Sequence, residues 1–459
     1  MFGTSGIRGS IAEKVTTDLA LDLGRALGTT LNGKGCVGVG TDARTSHNML
    51  ESAFIAGVVS TGVDVINLRH APMPAVAAHS AMPGVSASVI ITASHNPPED
   101  NGFKFFNGGR EFIRSEEVRI EERVFDKEFS IASWKEIGTV SSWNIRESYL
   151  KQVKNFVVNR GTNGAGMRVL LDLANGAATD YTPHLLHDMG FEVSTINSHP
   201  DGYFPGRPAE PSPRNLVDTM KIVSDSDFSV ALCHDGDGDR LAVIDEEGRF
   251  IDQNRVIALF AKDEVERAGE GTVVVSIDTS SVIDEVVATA GGSVVRAPLG
   301  SLQELLATDE SNAIVFASEP WKPIFTKLGG WMDGIAGAAR FAQMTNEIGS
   351  GSCSKLMASI PEYPMLRDHI VCPDELKTCF ITTIKTKLVD EITGIRNVID
   401  SDGVRIERDD GSYVLVRVSG TEPKARVYIG ARSESTLQNL ESTAKRLMQE
   451  TLEDCESRK

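Results

Sequence analysis

The chain has 459 residues, with 64 acidic against 46 basic side chains, a formal net charge of −18 and an apolar fraction of 41 %. That length exceeds one ordinary core and predicts three or four domains, and the sign of the charge is set against nucleic acid and anionic membranes as partners. No apolar run reaches membrane-span length, the first residues lack a leader pattern, and six cysteines without C-x-x-C spacing argue against zinc and redox motifs and suit a cytoplasmic location.

The chain opens on Gly3-Thr4-Ser5-Gly6-Ile7-Arg8-Gly9, a glycine-rich stretch with one arginine and, by itself, a weak anion-binding signal. Lys34–Asp42 reads as a strand, Asn48–Gly62 as a helix and Val63–Leu68 as a second strand. Ser86–Ile91 is a buried-strand pattern running into Thr92-Ala93-Ser94-His95-Asn96-Pro97-Pro98. A polar burst at the carboxyl end of a strand is where α/β sheets bind ligands. On residue type alone Ser94 reads as a turn hydroxyl bonding local backbone. His95 beside it makes no hydrolase triad, because no G-x-S-x-G elbow surrounds the serine. Lys104 follows in Asn101-Gly102-Phe103-Lys104. It reads either as a solvated lysine or as a pocket cation whose pKa is lowered for proton transfer.

The strand–helix–strand pattern returns at Met167–Leu173, a helix through Met189-Gly190, and Phe191–Ile196. Strand Ser229–Cys233 then meets His234-Asp235-Gly236-Asp237-Gly238-Asp239-Arg240, followed by strand Leu241–Asp245. Three carboxylates at alternate positions converge only if a hard cation offsets their repulsion, and the glycines permit the tight turn. An EF-hand is excluded because Arg240 stands where its glycine is needed and the flanks are strands. Three carboxylates leave coordination positions open, which suits a catalytic Mg²⁺ gripping a phosphoryl oxygen.

A third repeat runs through strand Thr272–Asp278, a helix to Ala290-Gly291-Gly292, and strand Ser293–Arg296. Three such βαβ units predict three related α/β domains in tandem with mixed, largely parallel sheets. The last hundred residues differ. Thr378–Lys387 alternates like a strand, and Val404–Arg408 and Tyr413–Arg417 flank the hairpin signal Asp409-Asp410-Gly411. Ala425–Ala431 is a further strand, and Ser435–Leu452 is helical. A smaller α+β domain is predicted, with the four domains at 1–145, 146–248, 249–362 and 363–459 around a central cleft. Within the last, Arg417-Val418-Ser419-Gly420-Thr421-Glu422-Pro423 with Arg426 supplies the hydroxyls, N–H groups and guanidiniums that a phosphate dianion wants.

Taken together, four motifs in order (3–9, 92–97, 235–240 and 417–423) resemble the α-D-phosphohexomutase family, which includes phosphoglucomutase, phosphomannomutase and phosphoglucosamine mutase. The stretches 172–177, 201–205 and 210–213 are also similar to it, and the archaeal-type phosphoglucosamine mutases are most alike. The resemblance implies an enzyme that interconverts hexose 6-phosphate and hexose 1-phosphate through a hexose 1,6-bisphosphate, with glucosamine phosphate favoured and mannose or glucose phosphate as alternatives. It implies Ser94 as phosphoserine, and Asp235, Asp237 and Asp239 with Ser94 as the Mg²⁺ ligands. Arg8 and Lys104 would assist proton transfer, and His95 and Arg240 would support the phosphoryl site. Arg417, Ser419, Gly420, Thr421 and Arg426 would hold the substrate's other phosphate, and Glu319 would meet the sugar. The chain departs from the family where the sugar loop's serine and glycine are replaced by Trp321 and Lys322, where Pro298-Leu299-Gly300-Ser301 lacks an acidic residue, and where Val418 replaces a proline. Those departures leave open a catalytically silent sugar-phosphate binding protein of the same fold.

Overall fold

The computed structural model describes residues 1–3, 6–158, 164, 166–420 and 422–457. Three sheets repeat one topology. In the first, Asp100–Asn107, Ala87–Ile91, Cys36–Thr41 and Asp64–His70 lie side by side, extended by Ile7–Ser10 and Val140–Ser142 at the edges. The second runs Ala242–Asp245, Val230–Cys233, Arg168–Asp172, Glu192–Ile196. The third runs Lys322–Ile324, Ile314–Glu319, Thr272–Ser276, Ser293–Ala297. In each, three parallel strands end in an antiparallel return strand. The inner strands are apolar on both faces because helices cover both. Each return hairpin opens at the carboxyl edge of its sheet, and those three openings hold residues 92–99, 234–241 and 320–321.

The first three units share one continuous core. Met73, Val76 and Ile90 of the first meet Tyr149, Val153 and Leu171 of the second and Phe260, Phe316 and Phe341 of the third. Full burial of such a side chain contributes about 1.5–3 kcal/mol, so the units are fused rather than strung on linkers. At one junction Asp333 caps the helix Gly334–Glu347 through Ala336 N–H and also accepts from the Tyr149 hydroxyl at 2.7 Å and the Trp331 indole at 2.9 Å.

The fourth unit is an antiparallel sheet, Met365–Val371, Lys424–Gly430, Tyr413–Val418, Val404–Arg408, Ile395–Ile399, backed by helices Lys377–Glu391 and Glu434–Ser457. It has its own core. One reading of the sequence is corrected here. Thr378–Lys387 is helical, not a strand: Phe380, Ile384 and Leu388 fall four apart and bury one stripe, while the threonines and lysines that mimicked alternation face outward or lie part-buried. Cys379 and Cys455, 76 positions apart, form a disulfide between the two helices, a pairing created by packing that chain spacing does not display. Among the described residues no helix is long and apolar enough to cross a membrane.

Candidate active site

The two loops singled out in the sequence meet. Ser94 is fully buried, and its hydroxyl donates to Asp235 Oδ2 at 2.7 Å. The approach needs glycine between the aspartates, since a Cβ on Gly236 would stand 2.5 Å from the Ser94 carbonyl oxygen. Ser94 itself has φ 52°, a left-handed conformation that a non-glycine residue holds at a cost of about 1–3 kcal/mol.

That conformation is held from the first sheet. Ser94 N–H donates to Thr92 Oγ1 at 2.8 Å, and Thr92 Oγ1 donates to Asp42 Oδ2 at 2.7 Å. Arg44, completely buried, forks into the loop: its guanidinium donates to the carbonyls of Ser94 (2.9 Å), Asn96 (2.6 Å), Asp100 (2.8 Å) and Pro97, and its Nε to Asp42 Oδ2 at 3.1 Å. Its flat face lies 5.1 Å from the Phe204 ring of the second unit. Asp42 and Arg44 were not recognised from sequence. An arginine that spends its donors on carbonyls about fifty residues away leaves no local motif.

Asp235, Asp237 and Asp239 each offer an oxygen within 4.8 Å of the others, all fully buried. Burial, then the charges of Asp239 and Asp237, push the Asp235 carboxyl well above its usual range. Asp237 Oδ1 and Asp239 Oδ1 are buried and meet no hydrogen-bond donor among the described residues. Oxygens crowded, desolvated and unspent in this way fit a hard divalent cation.

Lys104 projects from the return strand into the same cluster, with Nζ 2.8 Å from Asp239 Oδ2 and 3.5 Å from Asp237 Oδ2. The expectation of a lowered lysine pKa is corrected: burial pulls the ammonium down, but the Asp237 and Asp239 carboxylates outweigh it, and the pKa lies above the ordinary lysine value. Burial raises Asp239 too, but Lys104, Lys322 and Arg240 win and hold it below the usual carboxylate range.

Arg240 donates from Nη2 to His95 Nδ1 at 2.8 Å, so that nitrogen is an acceptor. Its Nη1 lies 3.5 Å from Glu210 Oε1 and its Nε 3.8 Å from Asp235 Oδ2. Burial first, then the Arg240, Arg8 and Lys322 charges, hold His95 far below the normal imidazole pKa, so it is neutral. Arg8 lies on the strand Ile7–Ser10, paired with Gly102, and its charge acts on both His95 and Lys104.

The sugar-loop residues line the third hairpin. Glu319 Oε1 accepts from Gly300 N–H at 2.8 Å, and Oε2 is 3.7 Å from Lys322 Nζ. Lys322 is 5 % exposed, and its charge reaches His95, Asp239 and Glu111. The next step leads into the fourth unit: Leu299 N–H donates to Asp402 Oδ2 at 3.2 Å, and Asp402 binds Arg417 Nη2 at 2.9 Å. A polar chain thus runs from Lys322 through Glu319, the 299–300 loop and Asp402 to Arg417. Ser419 accepts from Glu422 N–H at 3.2 Å, Gly420 is exposed with open space around it, and Arg426 pairs with Glu422. Thr421, like Thr4 and Ser5 of the opening motif, lies outside the described residues.

Comparison with known proteins agrees along the whole chain. Residues 1–131, 147–248 and 252–363 match the phosphoglucomutase/phosphomannomutase α/β/α domains I, II and III, and 379–446 the C-terminal domain. A phosphopentomutase of Thermococcus kodakarensis is 42 % identical over 456 residues, covering 98 % of this chain and 99 % of that one. A probable phosphoglucosamine mutase of Methanopyrus kandleri is 41 % identical over 443 residues, covering 96 % and 95 %. A solved phosphoglucomutase/phosphomannomutase family protein from Burkholderia thailandensis has the same fold, with TM-score 0.85, 24 % identity and 98 % of each chain covered.

Proposed function

The chain belongs to the phosphoglucomutase/phosphomannomutase family of phosphosugar mutases, and on that premise we propose that Ser94 is its phosphoryl carrier in the cytoplasmic interconversion of hexose 6-phosphate and hexose 1-phosphate. The observation that carries this reading is the Ser94 hydroxyl 2.7 Å from Asp235 within the buried carboxylate trio. Phosphorylated Ser94 passes its phosphoryl group to the free hydroxyl of a bound sugar monophosphate: the Ser94 O–P bond breaks, a sugar O–P bond forms, and the proton lost by the sugar hydroxyl is matched by one gained at the Ser94 oxygen. The hexose 1,6-bisphosphate so made turns over and returns its other phosphate to Ser94. Such transfer is mainly positioning and charge neutralisation.

Asp235, Asp237, Asp239 and an oxygen on Ser94 would hold Mg²⁺, which when bound would supply charge neutralisation at the transferred group. Arg240 and His95 orient that group, the neutral imidazole accepting a hydrogen bond from the guanidinium and so fixing its fork. Arg8 and Lys104 would assist the proton transfer by stabilising charge rather than as bases, since Asp237 and Asp239 hold Lys104 protonated. Arg417, Ser419, Gly420, Thr421 and Arg426 grip the remote phosphate, whose binding energy aligns the reacting end. Ser94→Ala is expected to lose mutase turnover, and intact-mass analysis of the unaltered chain to show a phosphate on Ser94. Near-normal turnover in the variant would overturn the carrier role.

Two sugars compete. The resemblance and the relative from Methanopyrus kandleri favour glucosamine phosphate. A sugar without an amino group, pentose phosphates included, is favoured by the relative named as a phosphopentomutase, and the departures at Trp321 and Lys322 leave room for it.

A further inference from the structure

The sheet of the fourth unit is backed by helices on one face, and its other face is divided. Tyr413, Leu415 and Tyr428 cover the seam with the third unit around Ile277. Beyond the seam the same face carries cations. Arg417, Arg426 and His369 are directly opposite one another across three adjacent strands, which puts them in one row. Lys424 and Arg367 lie two residues along from Arg426 and His369, so they share that face. A strand spacing of about 4.8 Å sets the His369 backbone about 10 Å from that of Arg417.

Arg367, Asp368, His369, Lys424, Arg426 and Tyr428 line a hollow of about 280 Å³. Asp368 turns to the helix side, where its Oδ2 lies 2.7 Å from Lys445 Nζ. Glu422 pairs with Lys424 at 2.7 Å and with Arg426. Arg367 and His369 are exposed. Neutral groups hold Arg367 in place. With its amide oxygen facing the guanidinium, Gln253 of the third unit accepts from Nη2 at 3.1 Å and Nη1 at 3.3 Å, and the Tyr428 ring lies 5.5 Å from the guanidinium carbon. With Asp368 matched by Lys445, the fixed cations Arg367, Lys424 and Arg426 stand against the single carboxylate of Glu422. The patch is locally positive in a molecule of net charge −18.

A sugar bisphosphate carries about −1.5 to −2 on each phosphate. To exchange ends, it must leave both the Ser94 centre and the Arg417 grip, and the field of an acidic protein then drives it off. Positive donors one strand beyond Arg426 offer a phosphate charge-assisted hydrogen bonds at that moment. We propose that Arg367, His369 and Lys424 form a second phosphate seat beside the Arg417 grip, which retains the bisphosphate while it turns.

The inference rests on the mutase reading above, but the first arm of its test needs no sugar. Imidazole NMR signals of His369, assigned with His369→Gln, are followed while inorganic phosphate is titrated into the unaltered chain, Arg367→Gln and Arg417→Ala. A saturable shift is expected in the unaltered chain and in Arg417→Ala, with affinity lowered about tenfold in Arg367→Gln. No saturable shift, one lost in Arg417→Ala, or one untouched by Arg367→Gln overturns the inference. The second arm counts bisphosphate set free per turnover, on whichever of glucose, mannose, ribose and glucosamine 1-phosphates the unaltered chain uses fastest. Arg367→Gln should free it about tenfold more often, and Lys135→Gln, an exposed charge on the first unit, should match the unaltered chain. Release unchanged in Arg367→Gln, or raised equally in Lys135→Gln, overturns the seat and leaves the mutase reading intact. A chain that turns over none of these sugars overturns both.

Discussion

At the scale of single residues, the serine loop is held by a fully buried arginine. Arg44 spends its fork on four carbonyls of residues 94–100, and a lysine cannot reproduce that geometry. Arg44→Lys is expected to lower kcat by about ten- to a hundredfold with little change in KM, because Arg417 and Ser419, proposed to hold the remote phosphate, are untouched; steady-state kinetics on a circular-dichroism-checked variant would show it. This residue also marks what was legible. Ser94 and the aspartate trio stand in short local motifs, because the turn itself brings their atoms together. Arg44, Asp42 and the inward aim of Lys322 depend on contacts between distant segments, and no spacing rule encodes them. Lys104 was legible as a pocket residue but not in its protonation, which is decided by Asp237 and Asp239 from another domain.

At the scale of elements, the helix Met73–Ser80 carries His79, which is buried with Nδ1 2.8 Å from Ser88 Oγ. Burial pushes its pKa down from 6.5 to about 4. Between those values the unfolded chain binds the extra proton. Stability is therefore complete above about pH 6.5 and falls as pH drops toward 4, by up to about 1.4 kcal/mol per unit. Urea midpoints measured across that window should slope accordingly, and His79→Gln should flatten part of the slope. The helix Lys377–Glu391 was misread as a strand because β-branched residues dominate it, and only its partners reveal the four-residue stripe. Its disulfide to the last helix makes a second prediction. Cys455→Ser should cost about 2–5 kcal/mol of stability in the fourth unit, and thiol titration of the unfolded, unreduced chain should count the four free cysteines 36, 233, 353 and 372. Six reactive thiols would remove the pairing.

At the scale of the whole molecule, the first three units share a core, whereas the fourth meets the third through a small apolar cluster around Ile277, Tyr413, Leu415 and Tyr428. Arg405 is the main polar fastener: fully buried, it donates to the carbonyls of Ile277 and Thr279, both at 2.8 Å, and lies 3.7 Å over the Tyr413 ring. Arg405→Met is expected to cost about 2–4 kcal/mol and to split thermal unfolding so that the fourth unit melts first; a single unchanged calorimetric transition would refute this. The threefold repeat was readable from the recurring strand–helix–strand pattern. The dependence of the fourth unit on so narrow a seam was not, since it is a property of the assembled surfaces.

The three fused units open their return hairpins at equivalent places, though the loops there differ in length. Residues 92–99, 234–241 and 320–321 each issue from a separate copy of one frame, yet the third loop touches the second through Trp321, whose carbonyl accepts from Leu241 N–H. A change at Trp321 or Lys322 is therefore felt at Arg240 and Asp239 as well, so whatever the third loop reads is tied to the centre it borders.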